Sequence, residues 1–158
     1  MDYNIIDIKE HLDFLTRICL DREVSSILEL GVRTGNSTRA FLRAAKVLDA
    51  KVISIDTDDC SKVANCDNWE FHQMDSLDYE LKEPVDILFI DTSHTYEQTL
   101  KELLKFAPMT KQVIILHDTV SCPPVMQAIQ EFLRNPDKKY KFENRTNNNG
   151  LGILWTQR

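Results

Sequence analysis

The run Val85-Asp86-Ile87-Leu88-Phe89-Ile90 is apolar at almost every position, with no alternation to mark a solvated side. A strand of that kind is covered on both faces, as a central strand of a parallel sheet is. The remainder of the chain must therefore supply a sheet around it and helices for two sides. Apolar runs ending at Glu29, at Lys51-Val52-Ile53-Ser54-Ile55-Asp56 and at Gln112 to Leu116 read as further strands, as does the alternating stretch Trp69 to Met74. Segments with helical spacing lie between them. These are Thr38 to Leu48, a stretch with Leu100, Leu103, Leu104 and Phe106 inward that stops at Pro108, and Val125 to Leu133 behind Pro123 and Pro124. Asp7-Ile8-Lys9-Glu10 reads as a capping box opening a helix to about Leu20, the N-terminal piece (1–23) that packs on the core. Asp58 to Asn68 has room for a couple of helical turns and Ser76 to Leu81 for a short helix. Lys139 to Glu143 and Leu151 to Trp155 flank Asn147-Asn148-Asn149-Gly150 as an antiparallel hairpin. The expected architecture is α/β, one domain over 1–158, with a mainly parallel sheet and right-handed crossovers.

Ser26 to Thr38 carries the first sign of a ligand. Gly31 and Gly35 bracket a short turn between strand and helix, where a tight backbone needs a residue without Cβ and where main-chain N–H groups face a helix start. Dinucleotide turns read G-x-G-x-x-G because a pyrophosphate approaches the backbone closely. Here the pattern is Glu29-x-Gly31-x-x-x-Gly35, followed by Ser37 and Thr38. A carboxylate at Glu29 repels a phosphate and attracts an ammonium, so an amino-acid-bearing nucleoside such as S-adenosylmethionine (SAM) fits better than NAD.

Composition narrows the class. With 158 residues, 42% apolar and 28% charged, the chain reads as an ordinary globular protein, and a net charge of -6 argues against a nucleic acid as main partner. No apolar run is long enough to span a bilayer, and Met1-Asp2-Tyr3-Asn4 does not open a signal peptide, so the expected compartment is the cytoplasm. The four cysteines form no C-x-x-C pair and read as reduced thiols.

Each predicted strand ends in a polar group: Glu29, Asp56, Asp75, Asp91 and His117-Asp118. Ligands of open parallel sheets lie beyond those carboxyl ends. Asp56 is placed to accept from the two ribose hydroxyls, the alternative being a helix cap or a solvated loop acid. Asp75, beside Ser76, either accepts from an adenine amino group or caps the helix that follows.

Three runs, Ile27 to Thr38, Phe89-Ile90-Asp91-Thr92-Ser93-His94-Thr95-Tyr96-Glu97 and Ile115-Leu116-His117-Asp118-Thr119, resemble the class I SAM-dependent methyltransferases with a seven-stranded Rossmann-like sheet in three α/β/α layers. More narrowly they resemble the small O-methyltransferase-like group that includes macrocin-type sugar O-methyltransferases, cephalosporin hydroxylase-like proteins and, more distantly, catechol-type enzymes. The resemblance implies a SAM site that includes Asp91, and a Mg2+ held by Asp91 and Asp118. Its third protein ligand is an acid where this chain has His117, or an Asn where it has Thr119. Imidazole is a poor ligand for Mg2+. The alternatives are weak binding, a softer ion such as Mn2+ recruited by His117, or no metal and His117 as a base. The base of catechol-type enzymes falls at His94. The implied reaction is methyl transfer to a hydroxyl of a sugar or natural-product-like acceptor. Relatives carry more chain over the acceptor, so a bulky acceptor or a homo-oligomer that completes the pocket is expected. Two other classes remain, a nucleoside-binding protein without catalysis and a hydroxylase-like oxidoreductase. The second lacks both G-x-G-x-x-G and a facial triad of metal ligands.

Overall fold

The computed structural model describes residues 7–157, so the Met1 to Asn4 stretch lies outside it. Seven strands form one sheet in the order β3-β2-β1-β4-β5-β7-β6: β1 (Ser26–Leu30), β2 (Lys51–Asp56), β3 (Trp69–Gln73), β4 (Val85–Ile90), β5 (Thr110–His117), β6 (Tyr140–Arg145) and β7 (Leu151–Thr156). The first five run parallel, β7 lies antiparallel to β5, and β6 closes the hairpin on the outer edge. Four helices cover the sheet: α1 (Leu12–Asp21), α2 (Asn36–Leu48), α3 (Tyr96–Phe106) and α4 (Pro123–Leu133). The expected Rossmann-like methyltransferase architecture is the one observed.

Two apolar cores follow from the period-2 alternation of the central strands. On one side Ile27, Ile87, Phe89 and Ile115 meet α1 and α2 through Leu15, Phe41 and Ala44. On the other side Leu28, Leu88, Ile90 and Ile114 meet α3 and α4 through Leu103, Phe106, Ile129 and Phe132. All six residues of β4 are buried, as its apolar run requires. Asp86 is the exception in kind, and it is held by the amides of Ser25 and Ser26, the Ser25 hydroxyl and the Lys111 ammonium.

Some local expectations are corrected. The capping box does not form: a 3-10 turn covers Lys9–His11 and α1 starts at Leu12 with no side-chain cap. Asp7 instead accepts from Arg33 Nη1 at 3.3 Å, and Glu10 accepts from Asn147 Nδ2 at 2.7 Å, so distant partners win over the local cap. No helix forms between Asp58 and Asn68, and Ser76–Asp78 is a single 3-10 turn. Leu104 points outward, 52% exposed. Among the described residues no helix is long and apolar enough to cross a membrane.

Strand order reverses at β1. From there the chain runs outward through β2 and β3, then returns to place β4 and β5 on the opposite side. The crevice at that switch point, beyond the carboxyl ends of β1 and β4, is where an open α/β sheet offers a ligand site.

Candidate functional site

A cleft of about 340 Å³ occupies that crevice, walled by the loops that leave the first four strands. Its residues include Gly31, Asp56, Asp75, Ser76 and Asp91 from the predicted set. Gly31 has φ 93°, and its amide donates to the Ile55 carbonyl at 2.8 Å, locking the turn to the end of β2. Gly35, at φ 83°, has Val63 packed so closely that a methyl group there would lie 2.2 Å from its Cγ1. Both glycines shape the turn, but Gly35 does so from outside the cleft.

Asp56 is the last residue of β2 and points back across the turn. Its Oδ2 accepts from the amides of Val32 at 2.8 Å and Arg33 at 3.0 Å, and its Oδ1 from Asp58 at 2.9 Å. Burial pushes this carboxyl up, but the amides of Arg33, Asp58 and Val32 outweigh it and hold it below the usual carboxylate value. It is an ionised acceptor at the cleft wall. Asp75 caps the 3-10 turn by accepting from the Leu77 amide at 2.9 Å, and still lines the cleft, so both of its predicted uses are compatible.

Glu29 requires a correction. It shares the row of Ile27, one residue short of the end of β1, and therefore faces α2 instead of the cleft. It is fully buried and accepts from Ser37 Oγ at 2.6 Å, Thr38 Oγ1 at 2.7 Å and Ser54 Oγ at 2.6 Å. Burial pushes its carboxyl up to about 7 against the pull of those hydroxyls. Glu29, Ser37 and Thr38 thus satisfy one another and tie the start of α2 to β1 and β2. None of the three faces the cleft.

Beside the cleft lies a second cluster. His94 Nε2 bridges two carboxylates, 2.9 Å from Asp91 Oδ1 and 2.8 Å from Asp118 Oδ2. His117, the last residue of β5, is buried, with Nδ1 3.2 Å from Asp118 Oδ2 and 3.6 Å from Asp91 Oδ2. Asp118 Oδ1 accepts from Ser121 Oγ at 2.5 Å. Asp118 and Asp91 raise His94 to about 10, well above its ordinary value. Burial opposes the charge on His117, yet the same two carboxylates carry it to about 10 as well. Asp118 would be pushed up by burial, but the two imidazoles and Ser121 hold it far below the usual carboxylate range. Flanked by two acids, His94 thus holds its proton well above the pH at which a solvated imidazole gives it up. His94 and Asp118 both adopt positive φ, 59° and 62°, a conformation that costs a non-glycine residue energy and clusters at working sites.

Asp91, His117 and Asp118 offer three ligand atoms within 4.8 Å of one another, the one such group among the described residues. Several cleft residues have no counterpart in the sequence reading. Ile55 and Met74 give apolar wall, and Gln98 reaches Ser76 Oγ at 3.0 Å and Glu102 Oε1 at 3.1 Å. Buried Glu102 also accepts from Ser76 and Thr92, which fastens the loops after β3 and β4 to α3. The available signal was position, since residues closing a strand or opening the next helix share the rim.

No curated protein matches the chain. Among solved structures, the O-methyltransferase from Bacillus cereus in complex with S-adenosylhomocysteine (SAH) superposes with a TM-score of 0.74 at 18% identity, over 99% of this chain and 84% of its own. The O-methyltransferase NovP gives 0.75 at 20% identity over 97% and 81%. The N-methyltransferase NodS from Bradyrhizobium japonicum WM9 in complex with SAH gives 0.70 at 14% over 99% and 90%. At such identities the likeness is one of fold. The family model described as a methyltransferase domain matches residues 28–119, more than half of the chain, from within β1 to just past β5, and the chain belongs to that family of methyltransferase domains.

Proposed function

We propose that the chain transfers the methyl group of SAM to a hydroxyl oxygen, with the cofactor in the cleft at the β1/β4 switch point and the acceptor over the Asp91–His94–His117–Asp118 cluster. The observation that carries this reading is the adjacency of the two sites through one residue. Asp91 lines the cleft and also belongs to the cluster, so a sulfonium methyl and an acceptor oxygen would meet there. In that arrangement Asp56 accepts from the ribose hydroxyls and Asp75 from the adenine amino group. Ile55 and Met74 supply apolar wall for the adenine ring. SAM carries its own activation, so the protein's work is to align the acceptor and manage its proton.

A divalent cation fits the cluster. His117 Nδ1 is a buried nitrogen with two carboxylate oxygens 3.2 and 3.6 Å from it, so one nitrogen and two oxygens converge within 4.8 Å of one another. Asp91, Asp118 and His117 would hold the ion, which when bound supplies a lowered pKa and a fixed direction to an acceptor hydroxyl. His94, released from the carboxylates it now bridges, would take the acceptor proton at Nε2. The D-x-x-H-x-Y-E run from Asp91 to Glu97 and His117-Asp118-Thr119 support a place near the macrocin-type enzymes, hence a sugar or small natural-product-like acceptor. A second copy of the chain would complete the acceptor side.

The test is calorimetric titration of SAH into the purified protein, followed by transfer of a radiolabelled methyl group from SAM to a panel of sugars and phenols. Micromolar binding with transfer to oxygen is expected. Absence of SAH binding would overturn the reading, and transfer to nitrogen alone would overturn its acceptor.

A further inference from the structure

The Asn147–Gly150 turn does more than close the β6–β7 hairpin. Asn148, Asn149 and Gly150 all have positive φ, 46°, 69° and 93°. The turn is clamped from two sides. From the N-terminal segment, the Glu10 amide donates to Asn148 Oδ1 at 2.9 Å, Glu10 Oε2 accepts from Asn147 Nδ2, and His11 Nε2 meets the Asn147 carbonyl at 2.9 Å. From the segment after β5, the amides of Val120 and Ser121 donate to the Asn149 carbonyl, and a methyl group at Gly150 would lie 2.4 Å from Thr119 Oγ1. The clamped turn presents the Asn148 carbonyl to His117 Nε2 at 3.2 Å.

A carbonyl only accepts, so the Nε2 of His117 keeps its proton in either charge state, and Nδ1 is the nitrogen that a cation can reach by displacing the proton held between it and the two carboxylates. That Nδ1 is buried and is aimed between two carboxylate oxygens, those of Asp118 and Asp91. A histidine that gives its second N–H to a backbone carbonyl is held in the tautomer that a metal requires.

We infer that His117 is a nitrogen ligand, set in its tautomer by the Asn148 carbonyl, and that it makes the site select a nitrogen-accepting transition ion of the Mn2+ or Zn2+ class over Mg2+. The inference rests on the reading that the Asp91–Asp118 pair holds a cation, and it adds which cation and which residues decide it. Oxygen-only sites suit Mg2+, and replacing one oxygen by imidazole shifts preference toward first-row transition ions. Glu10 and His11 act here as positioning residues for the turn.

The experiment uses the full chain stripped with a chelator. Mn2+ and Mg2+ are titrated calorimetrically into the wild type and into His117→Asp, with circular dichroism as the folding control. A Mn2+ affinity at least tenfold above that for Mg2+ is expected, with the ratio falling at least tenfold in His117→Asp. As a readout that does not depend on the folding of that variant, the wild type alone is also followed by 15N NMR of its histidine rings during Zn2+ addition. The Nδ1 resonance of His117 should move while Nε2 keeps its proton. Equal affinity for the two ions, or an unmoved Nδ1 resonance, overturns the inference and leaves a cation at the carboxylates intact. No binding of any ion overturns both.

Discussion

The α-carbon of Gly31 lies against the carbonyl of Asp91, so close that a methyl group on it would stand 2.0 Å from that oxygen. This contact brings the turn after β1 and the loop after β4 into one wall of the cleft. Gly31 also has φ 93°, so a side chain there meets both backbone strain and a backbone clash that no rotamer relieves. Gly31→Ala should lose on the order of 2–4 kcal/mol of stability in urea unfolding. A loss under about 0.5 kcal/mol would show that the turn can move away from Asp91 at little cost.

Asp56 serves two partners, the amides of the glycine turn and, in the proposed complex, the ribose. Removing the carboxylate in Asp56→Ala should weaken SAH binding by about ten- to a hundredfold, the range of hydrogen bonds to a charged group. Asp56→Asn keeps one acceptor oxygen and should fall between. Isothermal titration of both variants distinguishes this from a purely structural Asp56, for which unfolding midpoints would drop while affinity stayed within threefold.

Glu29 makes stability depend on pH. Its folded value of about 7 lies above the ordinary 4.5, so between those values the folded protein binds the proton that the unfolded chain releases. Stability should therefore decline as pH rises from about 4.5 to about 7 and change little from this source above it. The full swing is on the order of 3 kcal/mol. Thermal unfolding of Glu29→Gln across that range should show a flatter profile than the wild type. An unchanged slope would mean that Glu29 stays ionised among Ser37, Thr38 and Ser54.

In the proposed reaction His94 acts on turnover and not on cofactor binding. It touches the carboxylates of Asp91 and Asp118 and does not line the cleft. His94→Gln should reduce methyl transfer by about a hundredfold or more, the usual scale of proton-transfer catalysis, with SAH affinity within threefold. Equal losses in both would make His94 a support for the loop after β4.

The two-sided sheet was readable from Val85 to Ile90 alone, because a strand without a polar face has no solvated side. That Asp56, Asp75 and Asp91 reach one cleft was readable too, since parallel strands bring their carboxyl ends to one rim and chain order is enough to find it. Which side Glu29 faces was not. Its neighbours Leu28 and Leu30 are as apolar as Ile27, so the local pattern does not say which row meets α2, and only the packed helix with Ser37 and Thr38 turns the acid inward. The cation on His94 depends on carboxylates that end two different strands. The contact of His117 Nε2 depends on the Asn148 carbonyl, in a turn far along the chain. Local sequence determined the strands, helices and rim, because periodicity and turn chemistry act over a few residues. Tertiary structure decided the ion pairs and hydrogen-bond partners, because charge and hydrogen bonding act through space between residues the chain brings together only when folded.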